Sequence, residues 1–251
     1  MRNDDEPRRG PSVKESNRLL AALPIDEYSK LEPHLERVEL HFRDLLQEID
    51  GRIEYVLFPR TGVISAVKEF GNGDVIEVAT IGNEGVVGHS VVLDVPVSGN
   101  RVFVQVPGEG VRIKSAALLR AMEQCPKLHR ILLRYSQALF QQVAQTAACN
   151  RAHTVDERCA RWLLMTYDRV GNSSFTLTQE CRIPAMQEFL AMMLGVHCPT
   201  VSIAAGMLQK AGMITYVRGN ITIIDRKALE EASCECYQLI LKQYQNALDP
   251  V

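Results

Sequence analysis

An α+β chain is predicted in this order: an antiparallel β-barrel of jelly-roll type, one long helix, and a winged helix-turn-helix at the carboxy end. Three observations predict it. Between Val38 and Ile113 the apolar residues fall in short runs (VELHF, IEYVLFP, VISAV, VIEVATI, VFVQV and VRI). Turn residues part these runs, at Asp50-Gly51, Thr61-Gly62, Gly71-Asn72-Gly73, Ser98-Gly99-Asn100 and Pro107-Gly108, which is antiparallel punctuation with no βαβ alternation. After Ser115 glycine disappears until Gly171, so a long helical stretch follows. From Met186 to Leu229 a helical period breaks at Gly195, resumes after Pro199, stops at Gly212 and gives way to two alternating runs, a helix pair followed by a hairpin.

Composition narrows the class. With 251 residues, 46% hydrophobic and 23% charged, the chain has enough apolar side chains for one or two cores, which excludes collagen-like and disordered classes. The apolar run around Val86 to Val92 is interrupted by Gly88 and His89, far short of the roughly 20 residues a spanning helix needs. The amino terminus, MRNDDEPRRGPSVKES, carries no apolar h-region, so a cytoplasmic protein is expected. Seven scattered cysteines, an odd number, fit reduced thiols better than a disulfide framework. The net charge of −2 leaves nucleic-acid binding to a local face.

Taken in order, residues 1–16 mix charges with Pro7, Gly10 and Pro11 and are expected as a disordered tail. Residues 17–125 form the barrel unit, entered through short helices broken at Pro24 and Pro33. Residues 126–153 are the long helix. Its stripe Leu132, Tyr135, Leu139, Val143 and Thr146 recurs at spacings of three and four and is assigned to a dimer seam. A polar run, Asn150 to Thr154, precedes Asp156 and Glu157, marking a hinge and a new helix start. Residues 154–171 form that connecting helix, with Val155, Cys159, Trp162, Leu163 and Thr166 on one face; the single tryptophan is expected in the core. Residues 172–235 are the winged helix-turn-helix, and residues 236–251 a carboxy-terminal tail.

Within the helix pair, Phe189, Leu190, Met193 and Leu194 share a face, Gly195 makes the turn, and Val201, Ala205 and Leu208 bury one side of the second helix. Its other side can then enter a major groove about 12 Å wide. Arg218, at the hairpin tip, is placed to meet phosphate. A helix pair with a small sheet can also serve as a packing module, and the basic residues Arg182, Lys210 and Arg218 barely exceed the acidic Glu180 and Glu188, a weak electrostatic footprint.

These parts together resemble the Crp/Fnr superfamily of bacterial transcription regulators over roughly residues 17 to 235. The segments QEFLAMMLGV, GMLQKAGMI and RGNITIIDRKALEE are similar to the family's helix-turn-helix and wing, and EYVLFPRTGVIS with ATIGNEGVVG is similar to its barrel. The resemblance implies a homodimer that binds a two-fold operator and regulates transcription, with double-stranded DNA, a second copy of the chain and RNA polymerase as partners, and with no membrane and no catalysis.

Departures from the family pattern set the site residues. With Gly195 on the family's turn glycine, Cys198 and Pro199 stand where base-reading Arg and Glu are common, and Ile203 where a second Arg is often found. Base contact then falls to His197, Thr200, Ser202 and Gln209, so modest specificity or readout of DNA shape is expected. In the barrel, Gly88 and Arg101 match the nucleotide-binding pattern, but His89 and Val102 replace its Glu and its Ser or Thr. The effector, grouped around Gly88, His89 and Arg101, is therefore not expected to be cyclic AMP.

No metal or cofactor is expected. The family's iron-sulfur branch places its cysteines near the amino terminus, whereas the first here is Cys125; Cys198 and the Cys234–Cys236 pair are read as ordinary thiols, with a thiol switch at Cys198 and a metal or redox role for the Cys-x-Cys pair as the alternatives. A cupin-type enzyme would cluster histidines on the strands, but His41 and His89 stand apart with no His-x-His pair. The competing class is a ligand-binding or protein-interaction module whose winged helix does not bind DNA specifically; the salt dependence of DNA binding separates the two.

Overall fold

The computed structural model of the chain describes residues 13–170, 186–217 and 220–248. It opens with α1 (Val13–Ser16), α2 (Arg18–Ala21) and α3 (Ile25–Leu31). The tail expected through residue 16 thus becomes helical at Val13, and residues 1–12 lie outside the described residues. Asn17 sets the start of α2. Its Oδ1 accepts the N–H groups of Leu19 and Leu20, and its Nδ2 donates to the carbonyls of Pro59 and Gly85. One buried amide therefore caps a helix and ties it to the sheet.

The strands are β1 (Glu36–Leu40), β2 (Leu45–Gln47), β3 (Tyr55–Pro59), β4 (Val63–Glu69), β5 (Val75–Ile81), β6 (Arg101–Val106) and β7 (Gly108–Lys114). They pair antiparallel in two sheets, ordered β1-β7-β3 and β2-β6-β4-β5. The fold class is jelly-roll-like, as the punctuation implies, with the strands in two packed sheets rather than a closed barrel. Each sheet keeps its own edge strands, and the space between them is filled by side chains such as Val56, Phe58, Ile64, Val104 and Ile113. The sequence pattern missed β2, a three-residue strand whose pairing with β6 slips between Leu45 and Gln47.

Two helices then cross the sandwich: α4 (Ser115–Gln124) and α5 (Pro126–Ala152), the latter with proline in its first turn, where a missing N–H costs nothing. His153 is extended at φ −114° and ψ 155°, and α6 (Val155–Val170) starts beyond it. One half of a capping box marks the restart: the Glu157 carboxylate accepts both the backbone N–H and the hydroxyl of Thr154, at 2.8 and 2.7 Å. These bonds hold the Glu157 carboxyl below the usual carboxylate range.

The remaining elements are α7 (Met186–Leu194), α8 (Cys198–Lys210), β8 (Ile214–Val217), β9 (Asn220–Ile223), α9 (Arg226–Ala232) and α10 (Cys236–Leu248). Ile214 pairs with Ile223 and Val217 with Asn220. The expected helix end at Gly171 and the hairpin tip, Arg218 and Gly219, lie outside the described residues. The expected tail from residue 236 is instead a helix built into the core. Tyr237, Ile240, Tyr244 and Ala247 are buried, and α10 lies along α5.

That placement also corrects the dimer stripe. Leu132, Tyr135 and Leu139 are buried inside the chain, and Val143 and Thr146 are half-buried. The Tyr135 ring sits 6.1 Å from the Tyr244 ring and lies so close to Gly85 that a Cβ there would fall 2.5 Å from the tyrosine oxygen. A period of three and four marks a face that is buried, without saying by what. The face α5 turns outward runs through Leu133, Gln137, Phe140, Ala144 and Ala147, with Leu133 41% and Phe140 64% exposed.

Candidate nucleic-acid interface and effector cavity

The turn between α7 and α8 is made by Gly195, at φ +61°, a left-handed conformation that suits glycine after a helix. Val196 N–H returns to the Ala191 carbonyl at 3.0 Å and closes the turn. Val201, Ala204, Ala205 and Leu208 fix one side of α8 in the core. The opposite side therefore presents His197, Pro199, Ile203 and Met207 to solvent, with Ile203 65% exposed. Cys198, Thr200 and Ser202 are half-buried flank residues.

Two predicted contacts are already engaged inside the fold. The Ser202 hydroxyl donates to the Cys198 carbonyl at 3.1 Å, the back-bonding usual for serine within a helix. Gln209 Oε1 accepts the Tyr216 N–H at 2.7 Å and so braces α8 against β8. Met207, which the sequence reading did not name, shares the exposed side with Ile203; the helical period through Val201, Ala205 and Leu208 already put it there. Arg218 lies outside the described residues.

The helix pair lies against the edge of the four-stranded sheet. A cleft of about 580 Å³ separates Gly73, Asp74, Val75 and Ile76 from Ala191, Met192, Gly195, Val196, His197 and Thr200. Beside it is a buried polar knot. Trp162 Nε1 donates to Glu77 Oε1 at 3.0 Å, and the Ser65 hydroxyl lies 2.7 Å from Glu77 Oε2 and 2.8 Å from Gln105 Oε1. Phe189 meets the rings of Trp162 and Phe103 edge to face. Burial pushes the Glu77 carboxyl up to about 7, against the lowering effect of its hydrogen bonds to Ser65 and Trp162 and of the Arg161 and Arg169 charges. The sequence signal for this residue was an acid in the middle of the otherwise apolar run VIEVATI.

A second cavity, of about 400 Å³, lies between the sandwich and α5. Gly88, at φ +93°, and His89 line it together with Val97, Ser98, Asn100, Val102, Ser136, Leu139 and Phe140. Burial lowers the His89 pKa, which favours the neutral imidazole. Arg101 is elsewhere. Its guanidinium grips Glu48 through Nε and Nη2 and reaches Glu69 at 2.8 Å, all on the surface. No lysine or arginine lines the cavity among the described residues.

Residues 157–232 match the family model of the Crp-like helix-turn-helix domain. That match covers the helix-turn-helix with its wing; the two antiparallel sheets and the long helix before it are shared with the solved structures below. The chain has the Crp/Fnr fold. It is similar to a protein of Eubacterium rectale assigned to the Crp/Fnr family of transcriptional regulators, at 17% identity and a TM-score of 0.64, over 85% of this chain and 96% of that one. It is likewise similar to FixK2 of Bradyrhizobium japonicum, at 18% identity and a TM-score of 0.61, over 80% of this chain and 98% of that one. CLP of Xanthomonas campestris, a c-di-GMP-responsive global regulator, matches at 13% identity and a TM-score of 0.59, over 80% of this chain and 99% of that one. No curated protein matches the sequence. No helix among the described residues is long and apolar enough to cross a membrane.

Proposed function

We propose that this chain with the Crp/Fnr fold is a cytoplasmic, homodimeric, sequence-specific DNA-binding regulator of transcription, without catalysis. The observation that carries the reading is the outward side of α8, bounded by the Gly195 turn and the hairpin, within the matched helix-turn-helix domain. His197, Pro199 and Ile203, flanked by Cys198, Thr200 and Ser202, are the base-facing set. Ile203 and Met207 offer apolar contact to thymine methyl groups, and Arg218 is assigned to phosphate. Gln209 belongs to the fold rather than to the base contacts.

The dimer seam is assigned to Leu133, Gln137, Phe140, Ala144 and Ala147, the outward stripe of α5. Two recognition helices about 34 Å apart would meet successive major grooves of an inverted repeat. RNA polymerase is the further partner. The cavity between sandwich and α5 is assigned to an uncharged effector, because a cyclic phosphate needs cations that its lining does not supply and Arg101 is engaged with two carboxylates.

Selection of random double-stranded DNA, followed by fluorescence anisotropy at several salt concentrations, tests this reading. An enriched inverted repeat bound with a steep negative salt slope is expected. Phe140→Asp should weaken the dimer at least ~30-fold in sedimentation, the size of an interface hot spot of about 2 kcal/mol, without altering the helical circular dichroism. A second reading has its own support. Ile203, Met207, Val217 and Ile224 are all more than half exposed on the winged helix, a surface that suits a protein partner. No enriched DNA with or without cell extract would favour that one.

A further inference from the structure

Outside the surfaces described so far, the fold gathers Cys149, His153, Cys234 and Cys236, whose donor atoms all lie within 4.8 Å of one another. Cys149 and His153 are one turn apart at the end of α5, and Cys234 and Cys236 flank the start of α10. The three cysteines are buried and form a cluster of their own, apart from the main core. Cys149 Sγ lies 3.5 Å from Cys234 Sγ, and Cys236 Sγ lies 3.7 Å from His153 Nδ1. Ligands about 2.3 Å from a tetrahedral zinc ion stand about 3.8 Å apart.

We propose that Cys149, His153, Cys234 and Cys236 form a structural Zn²⁺ site that clamps the end of α5 to the start of α10 at the hinge. The histidine is set up for it. Its Nε2 faces the Glu235 carboxylate at 3.2 Å, which places the ring proton on that nitrogen and turns the Nδ1 lone pair toward the thiols. This is the carboxylate–histidine–metal arrangement that orients an imidazole ligand. Gln145 Nε2 donates to Cys236 Sγ at 3.0 Å, a bond a thiolate accepts better than a thiol.

Charge agrees. Binding displaces three thiol protons, and three thiolates with Zn²⁺ and a neutral imidazole leave a net charge of −1. Two buried arginines, Arg158 and Arg161, act on these thiols, and the Nε atom of each has no hydrogen-bond partner among the described residues. A buried anion beside them supplies the countercharge that buried guanidinium groups need. Arg158 also donates to Asn150 Oδ1 and to the Leu194 carbonyl at the end of α7, so the clamp reaches the helix-turn-helix itself.

The test uses the full chain, purified under reducing conditions without chelator. One zinc per chain by elemental analysis is expected. The protein stripped of metal should take up one Co²⁺ with the visible bands of a tetrahedral, thiolate-rich site. Cys149→Ser and Cys236→Ser should lose that spectrum, Cys198→Ser should keep it, and Glu235→Gln should keep it with affinity ~10–100-fold weaker. Three outcomes overturn the proposal: a stripped wild-type protein, folded by circular dichroism, that takes up no Co²⁺; a spectrum unchanged in Cys149→Ser; or a Cys149–Cys234 disulfide, found by mass after alkylation of the reduced preparation. The wild-type titration needs no variant to fold.

Discussion

Where α6 and α7 lie on the edge of the four-stranded sheet, the contact is built around a buried acid, Glu77, with one serine, one indole and an aromatic pair about it. Where α10 lies along α5 and over the end of α6, it is built from two tilted tyrosine rings, a buried ion pair and a knot of thiols. Tyr244 donates to Gln142 Oε1 at 2.7 Å; at the end of α6, which α10 also covers, Arg169 lies 5.9 Å from the Tyr244 ring and reaches Glu84 at 2.8 Å with both side chains buried, and Tyr237 donates to Asp168. The first seam contains a group whose charge changes near neutral pH; the second holds ionised partners matched within the fold. Of this pair, the first seam is suited to opening and the second to acting as a pivot.

The largest effect should come from the pivot. Arg169→Ala leaves Glu84 buried without its partner, an expected loss of about 3–5 kcal/mol in urea unfolding. A loss under 1 kcal/mol would show that the second seam is not held by that pair. At the first seam, a carboxyl raised from 4.5 to about 7 by burial keeps its proton in the fold where the unfolded chain has lost it. The folded state therefore binds more protons between those values, and stability falls as pH rises through that window, by about 3 kcal/mol in all. Glu77→Gln should remove this decline and be the more stable protein at pH 8; identical pH profiles for the two proteins would break the contrast. The smallest effect is expected at Gln209→Ala, about 1 kcal/mol from the lost bond to Tyr216, with the preferred DNA sequence unchanged. A changed preference would return Gln209 to the base-reading set.

Much of the fold was legible because its signals are local. Glycine spacing marked the sandwich strands, Pro126 opened the long helix, and Gly195 with Pro199 set the helix-turn-helix. Legibility failed where a pattern states that a face is buried but not what buries it. Leu132, Tyr135 and Leu139 suggested a second chain, but the chain's own sandwich and α10 cover them. Arg101 matched a motif position, yet its strand directs it to Glu48 and Glu69 rather than into the cavity.

By itself, then, the sequence determined the order of elements, the sandwich-forming runs, the break between α5 and α6 at His153 and the apolar side of α8, because each depends on residues a few positions apart. Tertiary structure alone decided how the strands divide between two sheets, that Glu77 is sealed beneath Trp162, and that α10 folds back on α5. That last step brings Cys234 and Cys236, which in sequence are a bare Cys-x-Cys, against Cys149 and His153 more than eighty residues away. Spacing along the chain carries no trace of such a meeting, because it is set by the packing of whole helices.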